Sequence, residues 1–224
     1  MAQKTSGTVV YMQTGALGAA KTITNITKAN PAVVTCASHG FSDGDIVVIS
    51  NVGGMQQVNN RVFVVDNATG SPLSPNSFEL KGCDSTNYTA FSSASPELGT
   101  AQEATMLAIG EVRDIPEMGG TEPSEFDVSH LQSVAEEKLA GLPKQSNVSF
   151  NIWFDIATTG HQDLLRANED LENRAFHFTK PTSWNMTILA QVGGVRVSGG
   201  DVNTAYSATV TLLPRAAGAW SSTT

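Results

Sequence analysis

The chain has 224 residues, enough for one large or two small domains that each bury a core. Hydrophobic residues make up 40% and charged residues only 15%, against roughly 25% charged in typical soluble domains; the surplus of Ser, Thr, Asn and Gly fits strands joined by turns. A net charge of −8 with no basic patch argues against gripping phosphates, and no apolar run approaches the ~20 residues of a membrane-spanning helix.

Met1–Gly7 has no apolar core, so no secretory signal is expected. Thr8-Val9-Val10-Tyr11-Met12 reads as a strand, and residues 22–100 then carry a β pattern of their own. Pro31–Cys36 is extended and β-branched. The turn Phe41-Ser42-Asp43-Gly44-Asp45 leads into Ile46–Ser50, and Asp-Gly between such runs is a strong turn signal because Gly accepts positive φ. Arg61–Val65 and Ser77–Leu80 complete a set of short strands spaced as in a small barrel or sandwich. Ser92–Thr100, with Pro96 and Gly99, reads as a return linker. A self-contained module spliced into a surface loop leaves its host intact, so excising 22–100 is expected to leave the host competent. The expected organisation is a discontinuous host (1–21 and 101–215), an inserted module (22–100) and a flexible tail (216–224).

The host resumes at Thr105–Ile109 and Gly110-Glu111-Val112. Between Glu103 and Glu137 nine acids face one base, Arg113, a local net charge of −8. Pro116–Pro143 has little regular pattern apart from a helix-like patch at Leu131–Leu139; a long irregular segment of this kind is functional or a partner arm. Glu111, Asp114, Glu117, Glu122, Glu125, Asp127, Glu136 and Glu137 are therefore the candidate assembly residues, with a solvated surface as the alternative role. Val148, Phe150, Ile152 and Phe154 alternate with Ser149, Asn151, Trp153 and Asp155. Trp153 is anomalous on that polar face. It reads as a subunit contact, or as packed beneath the helix that follows. That helix spans about Gly160–Glu172, with Thr159 and Gln162 at capping-box spacing and a stripe of Leu164, Leu165, Ala167 and Leu171. Strands follow at Ala175–Thr179, Asn185–Val192 and Val195–Ser198, the last two joined by a Gly193-Gly194 hairpin turn, and Tyr206–Leu213 closes the pattern.

No catalytic constellation stands out. His39, His130, His161 and His177 have no metal-ligand spacing and there is no G-x-S-x-G elbow, so neither enzyme activity nor a cofactor or metal is expected. Asp43, Asp45, Asp66 and Asp84 offer oxygen ligands to calcium, but turn formation accounts for the first two. His39, before Gly40, reads as a turn residue bonded to backbone. Cys36 and Cys83 read as reduced, half-buried thiols rather than a disulfide.

The run Ile109-Gly110-Glu111-Val112-Arg113-Asp114-Ile115-Pro116, the Asp127-Val128-Ser129-His130-Leu131 loop and Ala140-Gly141-Leu142-Pro143 resemble the major tail tube protein of long-tailed bacteriophages. So do Ser149–Asp155 and the His161-Gln162-Asp163-Leu164-Leu165 helix. The resemblance covers about residues 5–17 and 105–214, and departs from the family where residues 22–100 interrupt the first hairpin. It implies a mainly β fold, a sandwich or barrel with one packed helix. It also implies a virion protein that stacks hexameric rings into the tube conducting DNA at ejection, made and assembled in the bacterial host cytoplasm. Implied partners are other copies of itself, tape-measure and tail-completion proteins, and DNA in non-specific passage; no membrane is implied. The Ala-Asn-Pro-Ala-Val-Val-Thr, His39–Asp45 and Ser77–Gly82 runs resemble a different family, the small β-barrel half-domain of ubiquitin-activating enzymes. That likeness is one of fold and implies no ubiquitin chemistry; because an insert of this size would block a bore, it is expected on the tube's exterior. A tail-tip or surface protein that binds a host receptor or glycan through the insert is the competing reading.

Overall fold

The computed structural model describes residues 7–68, 76–93, 98–129, 135–180, 183–199 and 204–222. Its strands are antiparallel throughout and fall into three sheets. The first strand, β1 (Val9–Gln13), belongs to the host. The insert supplies β2 (Lys21–Thr22), β3 (Asn25–Ile26), β4 (Ala32–Thr35), β5 (Ile46–Val52), β6 (Arg61–Asp66), β7 (Ser77–Leu80) and β8 (Leu98–Glu103). Their order is β2-β8-β5-β6-β7-β4-β3. These runs are strands because their β-branched residues alternate toward a core built on Phe41, Phe63, Phe78, Ile49 and Leu80. Part of the expected return linker is thus strand: β8 sits between β2 and β5.

The host continues with β9 (Met106–Ala108) and β10 (Val112–Met118), then β11 (Thr121–Asp127), β12 (Lys138–Gln145) and β13 (Val148–Trp153). Helix α1 (Thr159–Asp170) precedes β14 (Asn173–Lys180), β15 (Trp184–Ser198), β16 (Ser207–Pro214) and β17 (Ala219–Ser222). The main sheet runs β10-β13-β16-β15-β14-β1-β9, with β17 paired to β15. It forms no closed barrel. Phe150 and Phe178 meet edge-on, 6.1 Å between ring centres, and Leu164 and Ala167 of α1 pack onto the same apolar face.

Five local expectations are corrected. Val192 and Val195 do not flank a hairpin: β15 runs through Gly193-Gly194 as one 15-residue strand with a register shift there. The cause is packing, since a Cβ on Gly193 would lie 2.8 Å from the Leu213 side chain. The tail read as flexible contains β17, whose Thr187↔Ala219 to Trp184↔Ser222 ladder extends the main sheet. Helix α1 is capped by Thr158 without a side-chain hydrogen bond, and Gln162 Nε2 donates instead to the Ile156 carbonyl, so no capping box forms. Leu171 lies outside the buried stripe, exposed in the left-handed region at φ 53°. In the patch expected to be helical, residues 131–134 lie outside the described residues and Lys138-Leu139 opens β12.

Insert and host share a third apolar cluster. Ile46, Val48, Val62 and Val64 from the insert pack on Ala175 and Leu189 of the host. Thr187 Oγ1 donates to the Val62 carbonyl at 2.6 Å, and Ala219 of β17 lies within the insert's core. Gly82 permits this approach: a Cβ there would sit 2.2 Å from the Trp220 carbonyl oxygen.

Candidate assembly surface

Four strands of the main sheet carry one face on the core and one in solvent. On β13, Val148, Phe150 and Ile152 are buried while Ser149, Asn151 and Trp153 point away; β16 repeats this with Ala208, Val210 and Leu212 inside. This division is the hydrophobic-in, polar-out alternation of a one-sided antiparallel sheet. The pairings Asp114↔Asn151, Asn151↔Thr209 and Thr209↔Arg196 set one residue from each strand side by side. Asn151 Nδ2 donates to Asp114 Oδ1, and Thr209 Oγ1 donates to Asn151 Oδ1 at 2.7 Å, so a polar ladder crosses three strands. A neighbouring row sets Glu117, Ser149, Thr211 and Gly194 in the same order.

This four-stranded portion has two open edges among the described residues. One is the outer side of β10. The other is the side of residues 192–198 that faces away from β16, because β14 pairs only as far as Gln191. Edges of this length present unpaired backbone donors and acceptors and invite another strand. The register shifts around Ile115-Pro116 make β10 irregular without removing it from the sheet.

The second exposed feature is the hairpin β11–β12, a two-stranded sheet apart from the others. Phe126 pairs with Leu139, and both rings and branches are 60% exposed; Leu142 is 84% exposed. An isolated hairpin is marginal in water, so apolar side chains displayed on one argue for a covering surface.

The sequence-predicted acids fall into two sets. Asp114 and Glu117 lie on the bare face of β10, and Glu111 precedes the strand at φ 48° with its carbonyl accepting from Trp153 N at 2.9 Å. Glu122, Glu125 and Asp127 lie on β11, while Glu136 and Glu137 lead into β12. Glu125 pairs with Lys138 at 3.1 Å, an exposed bridge of small energetic value. Asp127 accepts from the Ser129 amide at 2.8 Å; hydrogen bonds from the Ser129 side chain and then its backbone hold this carboxyl below the usual range. His130 lies outside the described residues. Trp153 is 40% exposed on the bare face and carries the Arg113 guanidinium 5.1 Å from its ring centre. Packing beneath α1 is corrected, since α1 lies on the opposite, apolar face. Sequence reasoning missed Phe126, Leu139, Leu142 and Arg196. The only signal for the first three was apolar residues within an acidic, Pro-containing segment.

The insert's chemistry-bearing groups are structural. His39 Nδ1 accepts from the Phe41 amide at 3.0 Å, as expected of a turn residue. Asp43 accepts from Ala68 N, Asp45 from Ser42 N and Asp84 from Thr86, and Asp66 pairs with Lys81 at 3.1 Å. Cys36 and Cys83 are unpaired and fully buried rather than half-buried, and burial pushes both thiols above their ordinary pKa. A reactive thiolate needs the reverse.

Residues 29–95 match the family model for the ubiquitin-activating enzyme E1 FCCH domain. The curated protein ubiquitin-like modifier-activating enzyme 1 of Oryctolagus cuniculus is 36% identical over 72 residues, 31% of this chain and 6% of that protein. The match therefore concerns the insert alone and spans a small fraction of that enzyme. Among solved structures, the chain is similar to one in the cryo-EM structure of the anti-feeding prophage (AFP) baseplate, 6-fold symmetrised. The TM-score is 0.39 at 11% identity, covering 53% of this chain and 85% of that one. No helix in the described residues is long and apolar enough to cross a membrane.

Proposed function

We propose that this chain is a non-catalytic structural subunit of a phage tail tube, built from stacked rings of six copies through which DNA passes. The observation that carries the reading is the pair of open edges on a sheet with one bare polar face. Consecutive strands in β10-β13-β16-β15 are antiparallel, so β10 and β15 run in opposite directions. Rotating one copy onto the next brings β15 beside a β10 of opposite direction, and the antiparallel alternation continues across every junction. Four strands per copy make this self-consistent for any ring size; six comes from the family resemblance. Closure into a barrel removes both edges.

The bare face becomes the wall of the bore. Its ladder of Asp114, Asn151 and Thr209 keeps side-chain donors and acceptors internally satisfied, and its carboxylates repel the DNA backbone, which favours passage over adhesion. The β11–β12 arm buries Phe126, Leu139 and Leu142 on an adjacent copy or ring, a head-to-tail contact that propagates a filament. The insert packs on Ala175, Thr187 and Leu189 at the β14 end of the sheet, on the face opposite the Phe176–Ile188 core, and leaves the β10-β13-β16 face bare. Tape-measure and tail-completion proteins are further proposed partners, and the virion tail the proposed location.

Electron microscopy of the purified full chain over a range of concentrations tests this. Rings or tubes are expected. A monodisperse monomer at every concentration and salt, or a monomer that adheres to bacterial cells through the insert, overturns it in favour of a receptor-binding module. Among the described residues, none of the large exposed hydrophobics belongs to the insert.

A further inference from the structure

We infer that Arg196 closes each junction between copies by pairing with the carboxylates on β10 of the neighbouring copy, Glu117 foremost. The inference deepens the tube reading and rests on it.

Arg196 ends the row Asp114–Asn151–Thr209–Arg196 and lies on the open edge of β15. The first three members are joined by side-chain hydrogen bonds, whereas Arg196 is exposed and makes no ion pair among the described residues. It is the one cation on that face of β15. The opposite edge, β10, carries Asp114 and Glu117 projecting to the same face. One side of the sheet portion thus ends in a free guanidinium and the other in carboxylates, a self-complementary arrangement only in head-to-tail order.

A strand added at an edge lies about 4.8 Å away, with directly opposite Cβ atoms roughly 5 Å apart and diagonal ones about 7–8 Å. An extended Arg reaches either position. Asp114 already accepts from Asn151 and meets Arg113 at 3.3 Å, while Glu117 makes no hydrogen bond or ion pair among the described residues. Glu117 is therefore the freer acceptor. Modest shifts of register bring Arg196 to one carboxylate or the other, and sliding further leaves it opposite neither, so the pair selects register. On the bore side, it also neutralises a cation that would hold a passing phosphate.

The test uses the full chain and tube assembly followed by light scattering and electron microscopy, with thermal melting of unassembled protein as the folding control. Arg196→Glu is expected to raise the concentration needed for assembly by about tenfold at low salt, because like charges then meet at every junction. The effect narrows as salt screens them. Adding Glu117→Arg, or failing that Asp114→Arg, to the Arg196→Glu chain restores assembly. Tubes from Arg196→Glu at the wild-type concentration in low salt overturn the inference and leave the tube reading standing. So does an assembly defect that neither reciprocal change repairs while the melt is unchanged. Failure of the wild-type chain to form any ordered multimer overturns the tube reading itself.

Discussion

Insert and host are both antiparallel β, yet they finish their surfaces in opposite ways. The insert's sheet ends in β2 and β3, two residues each, too short to template another strand. Its rings and β-branched residues are inside, among them Phe41, Phe63 and Phe78. The host sheet ends in β10, seven residues long, and in the three-residue β9, leaves residues 192–198 of β15 unpaired on one side, and holds every large exposed hydrophobic among the described residues. The insert leaves only short strands at its edges, whereas the host leaves longer edges and apolar side chains open. Under the tube proposal, that difference puts the contacts between copies in the host, although the family match lies in the insert.

The sharpest way to break this comparison is to make the same substitution in each unit. Phe78 is fully buried, packed edge-on with Phe41 at 5.4 Å and beside His39 at 5.2 Å. Phe78→Ala is expected to cost about 3–5 kcal/mol in chemical denaturation, the loss of a core aromatic plus its cavity. Phe126→Ala is expected to change folding stability by less than ~0.5 kcal/mol while lowering tube yield. Equal stability losses from both would mean that the arm is not a free surface.

Next in size is excision of residues 22–100 behind a Gly-Ser bridge. The sequence pattern alone expects an untroubled host. The structure alters that expectation, because Ala175 and Leu189 are covered by Ile46, Val48, Val62 and Val64, and Thr187 loses its 2.6 Å bond to Val62. Exposure of this face is expected to cost on the order of 3 kcal/mol, lowering the melting temperature by roughly 6–12 °C. An unchanged melt would show that the insert is a detachable passenger.

Smaller again is removal of β17 by ending the chain at Arg215. The cut takes Ala219 from the insert core and the Arg61 contact to the Gly218 carbonyl at 3.5 Å, and it uncovers the edge at residues 184–187. Hydrogen exchange is expected to rise in Arg61–Asp66 and Trp184–Thr187 together while β13 and β16 stay protected. Loosening confined to one of the two segments would disprove a strap shared by insert and host.

Much of the insert was legible because its strands are β-branched runs punctuated by Asp-Gly and Pro, and Ser77–Leu80 falls where its pattern places it. The alternation of Val148–Trp153 exposed the two-faced sheet for the same reason. The arm was not legible. Thr121–Asp127 and Lys138–Gln145 each contain Pro and few β-formers, and strands with no core face carry no period-two signal. The Gly193-Gly194 pair misled because a bulge and a turn use the same residue, and only Leu213 across the sheet distinguishes them. The acidic set was legible as a class. That Asp114 is held in a ladder while Glu117 stays free depends on register, which single-sequence patterns do not encode.

The smallest expected effect concerns pH and touches both units. Burial lowers the pKa of His39, outweighing a raising hydrogen bond to the Ser77 backbone; burial likewise lowers His177, against a raising bond to Asn185 Oδ1. His177 stacks on Tyr11 at 5.8 Å beside a cleft of about 350 Å³ between host and insert that Asp45 and Glu103 also line. Their carboxylates do not reverse the direction of its shift. When the folded pKa lies below the unfolded one, the unfolded chain takes up the proton first. Stability is therefore fully present above the ordinary histidine pKa of about 6.5 and declines as pH falls below it. Melting temperature at pH 7.5 is expected to exceed that at pH 5.5, and Gln in place of either histidine is expected to flatten part of that slope. Asp84 and Asp127, both held low by neighbouring hydroxyls, act only at much lower pH, so the two windows separate. If His39→Gln leaves the slope intact and His177→Gln removes it, the pH response belongs to the seam between the units rather than to the insert's core.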